Sequence, residues 1–63
     1  MTQKELLYVE DALQHEKTLL SVINETISRL EDDDLKDFMD TELETHQKIY
    51  NKLIKLLEVE VNE

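Results

Sequence analysis

The chain has 63 residues, of which 40% are hydrophobic, and it contains no Cys, Gly or Pro. Its 16 Asp and Glu residues against 7 Lys and Arg give a formal net charge of −9, which repels phosphate backbones, so we expect no nucleic-acid partner. No apolar run approaches the roughly 20 residues that cross a bilayer, so we expect no membrane partner and a cytoplasmic location. A chain of about 60 residues is marginally stable alone, and without disulfides the remaining source of stability is association with another chain.

The first predicted element is an α-helix over about residues 3–30. Thr2, followed three residues later by Glu5, is typical of a capping box at a helix start. Hydrophobic residues then recur at alternating three- and four-residue steps, which is the pattern of one buried helix face. This stripe consists of Leu6, Val9, Leu13, Glu16, Leu20, Ile23, Ile27 and Leu30. A carboxylate therefore replaces one apolar residue of the stripe.

The acidic run at residues 31–34 is the candidate break in the chain. We expect a turn at about residues 31–33 with Asp32 as the N-cap of a second helix, since Asp accepts hydrogen bonds from free backbone N–H groups there. One continuous rod-like helix is the alternative. The five-residue step from Leu30 to Leu35 breaks the alternating spacing, which favours the turn.

The second predicted helix covers about residues 33–60. The spacing predicts that its stripe consists of Leu35, Met39, Glu42, His46, Ile49, Leu53 and Leu56. A Glu and a His one helical turn apart thus replace two apolar residues. Together with Glu16, they are the candidate functional residues of the chain.

These elements predict an all-α antiparallel helical hairpin as a single domain over residues 1–63. Apolar residues beside the stripes widen them: Leu19, Val22, Phe38, Leu43, Tyr50, Ile54, Leu57 and Val61. Two helices cannot enclose so much apolar surface, so we expect a homodimer that forms a four-helix bundle. The expected interface residues are Leu13, Leu20, Ile23, Ile27, Phe38, Leu43, Tyr50 and Ile54. The relative direction of the two hairpins stays open.

A turn near residues 31 and 32 puts Glu16 level with His46, and Glu42 one turn closer to the loop. Burying an unpaired carboxylate costs several kcal/mol, so these groups must pair, bind a metal or admit water. One interpretation is a network in which His46 donates to Glu16 and Glu42 reaches Tyr8 or Tyr50, or a Lys or water of the partner. Such polar contacts set the register of the helices.

The other interpretation is a metal site, because a dimer would supply four Glu and two His from Glu16, Glu42 and His46. This is the ligand set of di-iron and di-manganese carboxylate proteins, so iron or manganese is the alternative to having no cofactor. The spacing departs from the usual Glu-x-x-His, since Glu42 and His46 are four residues apart.

The stretch from Glu5 to Lys17, the segment from Leu30 to Lys36 and the tripeptide His46-Gln47-Lys48 resemble small helical-hairpin proteins of endospore-forming bacteria. They are similar to spore coat F proteins and related ferritin-like hairpins. That family often carries Asp-Pro-Glu-Leu-Lys between its helices, and here Asp33 stands at the Pro position. The resemblance implies a structural or sporulation-associated role, with the spore coat as a second possible location.

We therefore expect a structural or protein-interaction module that is not an enzyme and has no catalytic residues. The alternative function is a ferritin-like metal-binding dimer.

Overall fold

The computed structural model describes the backbone of residues 1–62 and the side chains of residues 1–59. Helix α1 spans Gln3–Arg29 and helix α2 spans Asp33–Asn62, and they pack side by side. The predicted all-α hairpin is confirmed, and the alternative of one continuous rod is wrong because the chain reverses at residues 30–32. The side chain of Val61, predicted to widen the second stripe, lies outside the described residues.

Both helix starts are capped as the sequence predicts. The Thr2 backbone N–H donates to Glu5 Oε1 at 2.8 Å, and the Glu5 N–H donates to Thr2 Oγ1 at 3.1 Å. At α2 the Leu35 N–H donates to Asp32 Oδ1 at 2.9 Å. These contacts satisfy backbone donors that a helix start leaves free, so local side chains determine where each helix begins.

Helix α1 ends at a residue that leaves the helical conformation without Gly or Pro. Leu30 is extended, with φ −82° and ψ 141°, while its N–H still donates to the Ile27 carbonyl at 3.3 Å. The side chain of Leu30 is half-buried, so it belongs to the packed part of the hairpin. The turn is therefore held by the packing of Leu30 and by the Asp32 cap.

The inner stripe of α1 is the predicted one, since each of its side chains from Leu6 to Leu30 is buried or half-buried. The predicted stripe of α2 was wrong at Leu35, Ile49 and Leu56, which are exposed. The observed inner stripe of α2 is Lys36, Met39, Leu43, His46, Tyr50, Leu53 and Leu57. The error arose because α2 carries two adjacent apolar stripes with the same spacing, and only packing against α1 selects one of them.

The hairpin is a thin rod, with Cα extents of 46 × 14 × 12 Å. Among the described side chains only Ile23 is buried rather than half-buried or exposed, at 4% exposure. A core of this size leaves much of the apolar surface of both helices in contact with water. The hairpin alone therefore does not complete its hydrophobic packing.

Candidate functional site

A polar contact joins the two helices at the middle of the hairpin. His46 Nδ1 lies 2.7 Å from Glu16 Oε2, and their side chains are only 21% and 18% exposed. The prediction that Glu16 lies level with His46 is confirmed. An ionised carboxylate can only accept a hydrogen bond, so with Glu16 ionised the proton of this contact belongs to Nδ1, which donates to Glu16.

The second nitrogen of the same ring points toward the other candidate carboxylate. His46 Nε2 lies 3.6 Å from Glu42 Oε2, and the Glu42 side chain is 39% exposed. Glu42 was expected to reach a tyrosine, or a Lys or water of the partner. In the single chain it lies near His46, and a contact with a partner stays a prediction. The three predicted residues thus form one cluster, with His46 between two carboxylates on different helices.

The protonation of His46 determines what this cluster can do. A doubly protonated ring would present an N–H to each carboxylate and hold a charge-assisted contact with Glu16. A ring protonated at Nδ1 alone would present a free lone pair at Nε2, which is the form in which histidine binds metals. The geometry fits both the register network and a metal ligand.

Within the part of the chain that the structure describes, no group of three or more His, Asp or Glu side chains is arranged to hold a metal ion. The metal site predicted from Glu16, Glu42 and His46 needed residues from two copies of the chain. Iron or manganese binding by a dimer therefore stays a prediction.

A second feature of the molecule is a set of exposed large hydrophobic side chains. Apart from Leu7, those among the described side chains lie directly before a residue of an inner stripe; Val59 instead follows Leu56 by three residues, and Met1 precedes the cap residue Thr2. We call the surface formed by the helical members of this set other than Leu7 the apolar face. It consists of Tyr8, Leu19, Val22, Leu35, Phe38, Ile49, Leu56 and Val59.

The residues that come one position after the inner stripes form a polar face. On α1 these are Leu7, Glu10, Gln14, Lys17, Ser21, Asn24 and Ser28, and on α2 they are Asp37, Asp40, Glu44, Gln47, Asn51, Ile54 and Glu58. Because the helices are antiparallel, a half-turn about an axis perpendicular to the plane of the two helices exchanges them. This rotation does not exchange the two sides of the hairpin, so the positions directly after inner-stripe residues lie on the same side in both helices. In agreement, Asn24 of α1 and Gln47 of α2 line the same depression.

One of the predicted interface residues lies on the apolar face, and the others are at least half-buried within the hairpin. Phe38 is exposed on the apolar face. The others are buried or half-buried within the single hairpin: Leu13, Leu20, Ile23, Ile27, Leu43, Tyr50 and Ile54. Whether any of them contacts a second copy stays a prediction.

Sequence reasoning missed the segregation of the two faces, although a signal for it was present. About half of the positions directly before inner-stripe residues are apolar, whereas the positions directly after them are polar except at Leu7 and Ile54. This difference between the two positions can be recognised in the sequence only when the inner stripe of α2 is known. The misplaced stripe in α2 therefore hid the apolar face.

Within the described residues, neither helix has a segment long and apolar enough to cross a bilayer. Comparisons with protein-family models, with curated proteins and with solved structures gave no match to this chain. The resemblance to spore coat F proteins thus stays a prediction.

Proposed function

We propose that this protein is a structural or protein-interaction module whose working form is a homodimeric four-helix bundle. The observation that carries the proposal is the apolar face, which lies outside a hairpin whose one buried side chain, among those described, is Ile23. Exposed apolar surface of this extent marks a site of association. The module acts by binding and not by catalysis.

The exposed surface area of the hairpin also supports association with a partner. The hairpin exposes 5114 Å², whereas a compact folded monomer of 7.5 kDa exposes about 4,200 Å² by the usual scaling with mass. The excess is about 900 Å², close to the roughly 800 Å² that each partner buries in a standard interface. One further copy of the hairpin is enough to cover it.

Charge supports a second copy as the partner. Of the acidic side chains that the structure describes, Glu5 and Glu42 are the ones directly before inner-stripe residues, and the polar face carries a larger share. Two chains of net charge −9 would repel each other if their polar faces met. Contact through the apolar faces keeps most carboxylates apart and in water.

Sedimentation equilibrium at micromolar concentration tests the proposal. We expect a dimer whose melting temperature rises with protein concentration, because association stabilises the folded chain by mass action. A well-folded monomer at these concentrations would overturn it.

A matched pair of neighbouring residues locates the surface. Tyr8 lies on the apolar face and Leu7 on the polar face, and they are 61% and 62% exposed. We expect Tyr8→Glu to dissociate the dimer and Leu7→Glu to leave it intact. Equal effects of the two substitutions would argue against the apolar face as the contact surface.

The cellular setting of the module is the second part of the proposal. The resemblance noted in the sequence suggests a sporulation-associated or spore-coat role. Extraction of spore coats and of vegetative cytoplasm from the source organism, followed by immunoblotting, would test it. Presence in vegetative cytoplasm alone would reject the spore-coat role and leave the dimer proposal unaffected.

Metal binding by the dimer is a second candidate function, favoured by the arrangement around His46. In protein metal sites a ligating His usually donates its other ring N–H to a carboxylate. Glu16 accepts such a bond from Nδ1, while Nε2 and Glu42 Oε2 lie 3.6 Å apart on the same helix. His46 and Glu42 of each copy would hold the ion, and Glu16 would orient the ring.

Metal analysis of protein purified without chelator tests this second function. A site that binds the folded state alone adds about 2.7 kcal/mol at a hundredfold excess of metal over its dissociation constant. Melting with and without chelator should show this change in the original chain and not in His46→Gln. Protein that contains no metal and melts identically with chelator would reject metal binding.

A further inference from the structure

The exposed stripe of α2 is symmetric about residue 47, which lies near the centre of the helix. The stripe occupies positions 35, 38, 42, 45, 49, 52, 56 and 59, and each position has a counterpart at the same distance on the other side of residue 47. Three of the four resulting pairs are compatible in chemistry: Leu35 with Val59, Phe38 with Leu56, and Glu42 with Lys52. The fourth pair is Thr45 with Ile49.

From this symmetry we infer that α2 packs against α2 of a second copy in antiparallel orientation, across a two-fold axis near residue 47. The inference rests on the proposed dimer and specifies its partner surface and direction. The two loops then lie at opposite ends of the four-helix bundle. In such an interface each matched pair occurs twice, once on either side of the axis.

The pair of Glu42 and Lys52 gives this orientation its electrostatic support. Glu42 is the acidic residue of this stripe and lies between Phe38 and Ile49. Its contact with His46 is long, at 3.6 Å. An interface would remove its carboxylate from water, which is costly without a cation nearby. Antiparallel packing of α2 brings Lys52 of the second copy to Glu42 and compensates that cost.

The opposite orientation, with both loops at the same end, matches the side chains poorly. In that orientation α2 would pack against α1 of the second copy. Glu16 of one copy would then lie level with His46 of the other, as these two residues do within one hairpin. Glu42 would then meet Leu19, and Leu56 would meet the region of Glu5. The acidic segments at residues 31–34 would also lie side by side and repel each other.

A distance measurement between the two loops distinguishes the orientations. The chain has no Cys, so Glu31→Cys allows one nitroxide label per copy at an exposed position between the helices. With loops at opposite ends, double electron-electron resonance should give a distance close to the 46 Å length of the hairpin. With loops at one end the distance would be about 20 Å or less, since neighbouring helix axes are 8–10 Å apart.

A label at Lys48→Cys provides the matched control, because this exposed position lies near the centre of α2 and its distance changes little with orientation. A dimer that gives a short distance at residue 31 overturns this inference and leaves the proposed function intact. A folded monomer overturns both.

Charge reversal tests the pairing itself. Lys52→Glu should weaken the dimer by about tenfold or more, because it places two carboxylates together at each Glu42. Lys55→Glu makes the same change of charge outside both the apolar face and the inner stripe, and should weaken the dimer much less. The double variant Glu42→Lys/Lys52→Glu should recover most of the lost affinity. Equal weakening by Lys52→Glu and Lys55→Glu, or no recovery in the double variant, would overturn the pairing.

Discussion

The two helices of the hairpin use their apolar residues differently. Most apolar residues of α1 lie in its inner stripe, whereas α2 has an inner stripe and a second stripe from Leu35 to Val59 that is interrupted by Glu42, Thr45 and Lys52. One helix can cover only one side of its neighbour, so α1 buries the first stripe of α2 and leaves the second exposed. Helix α1 therefore mainly stabilises the hairpin, while α2 also supplies most of the apolar surface for association.

The largest expected effect comes from truncating the buried isoleucine of α1, and an isoleucine of α2 gives the comparison. Ile23→Ala shortens the most buried of the described side chains and should lower the free energy of unfolding by about 2–5 kcal/mol at any protein concentration. Ile49→Ala, in the exposed stripe of α2, should instead weaken the dimer by about tenfold, or about 1.4 kcal/mol. Chemical denaturation at several protein concentrations measures both effects.

The graded substitution Ile23→Val is the control, with an expected loss of about 0.5–1.5 kcal/mol. If Ile49→Ala changed neither the stability nor the concentration dependence, the assignment of different roles to the two helices would fail.

The next largest effect concerns the polar contact between the helices. His46→Leu leaves the half-buried Glu16 carboxylate without its hydrogen bond and should cost about 1.5–3 kcal/mol. The double variant Glu16→Leu/His46→Leu should recover that stability, since apolar replacements of buried pairs are often neutral or stabilising. Denaturant unfolding of both variants measures the difference.

The oligomeric state of the same variants tests whether the cluster sets the register. We expect the apolar replacements to give mixed assemblies, because isolated polar residues in a helical seam restrict pairing. If both variants remain uniform dimers by sedimentation, the cluster contributes stability and not specificity.

A smaller effect is expected at the start of α2. Asp32→Ala removes the acceptor of the Leu35 N–H and should cost about 1 kcal/mol, measured as a lower melting temperature. Asp32→Asn keeps an acceptor at the same place and should lose much less. Similar losses for the two variants would mean that the charge, and not the hydrogen bond, stabilises the helix start.

The smallest effect is expected at the start of α1, where the capping box is exposed. The hydrogen bond from the Thr2 backbone N–H, followed by the contact with the Thr2 side chain, lowers the pKa of Glu5 below its ordinary value of 4.5. A lowered pKa means that Glu5 contributes its stability above about pH 4.5 and loses it as the pH falls through the lower folded-state value.

Melting of the original chain and of Glu5→Gln between pH 7 and pH 2 measures this contribution. The difference between the two proteins should shrink as the pH falls below 4.5. A difference that is constant across this range would assign the effect of Glu5 to packing and not to its charge.

Much of the local structure was predictable because it depends on neighbouring residues. Thr2 with Glu5, and Asp32 with Leu35, form contacts across three residues, so their sequence spacing is enough to place the helix starts. That Glu16 and His46 lie at the same height along the hairpin was also predictable, since a short turn determines which residues of two antiparallel helices lie side by side.

The rotation of α2 about its own axis was not predictable in the same way. Stripes beginning at Leu35 and at Lys36 have the same three- and four-residue spacing, and the first contains the more hydrophobic starting residue. Packing of Leu43, Tyr50 and Leu57 toward α1 selects the stripe that begins at Lys36 as the inner stripe. Local propensity has no information about this choice, because both rotations preserve the same helix.

By itself the sequence determined the two helices, their caps and the meeting of Glu16 with His46, because each follows from short-range hydrogen bonding or from the length of the turn. Only the tertiary structure decided which side of α2 faces α1, and therefore which apolar residues remain exposed. That choice depends on the summed contacts along the length of both helices, and it leaves Phe38 and Ile49 at the surface.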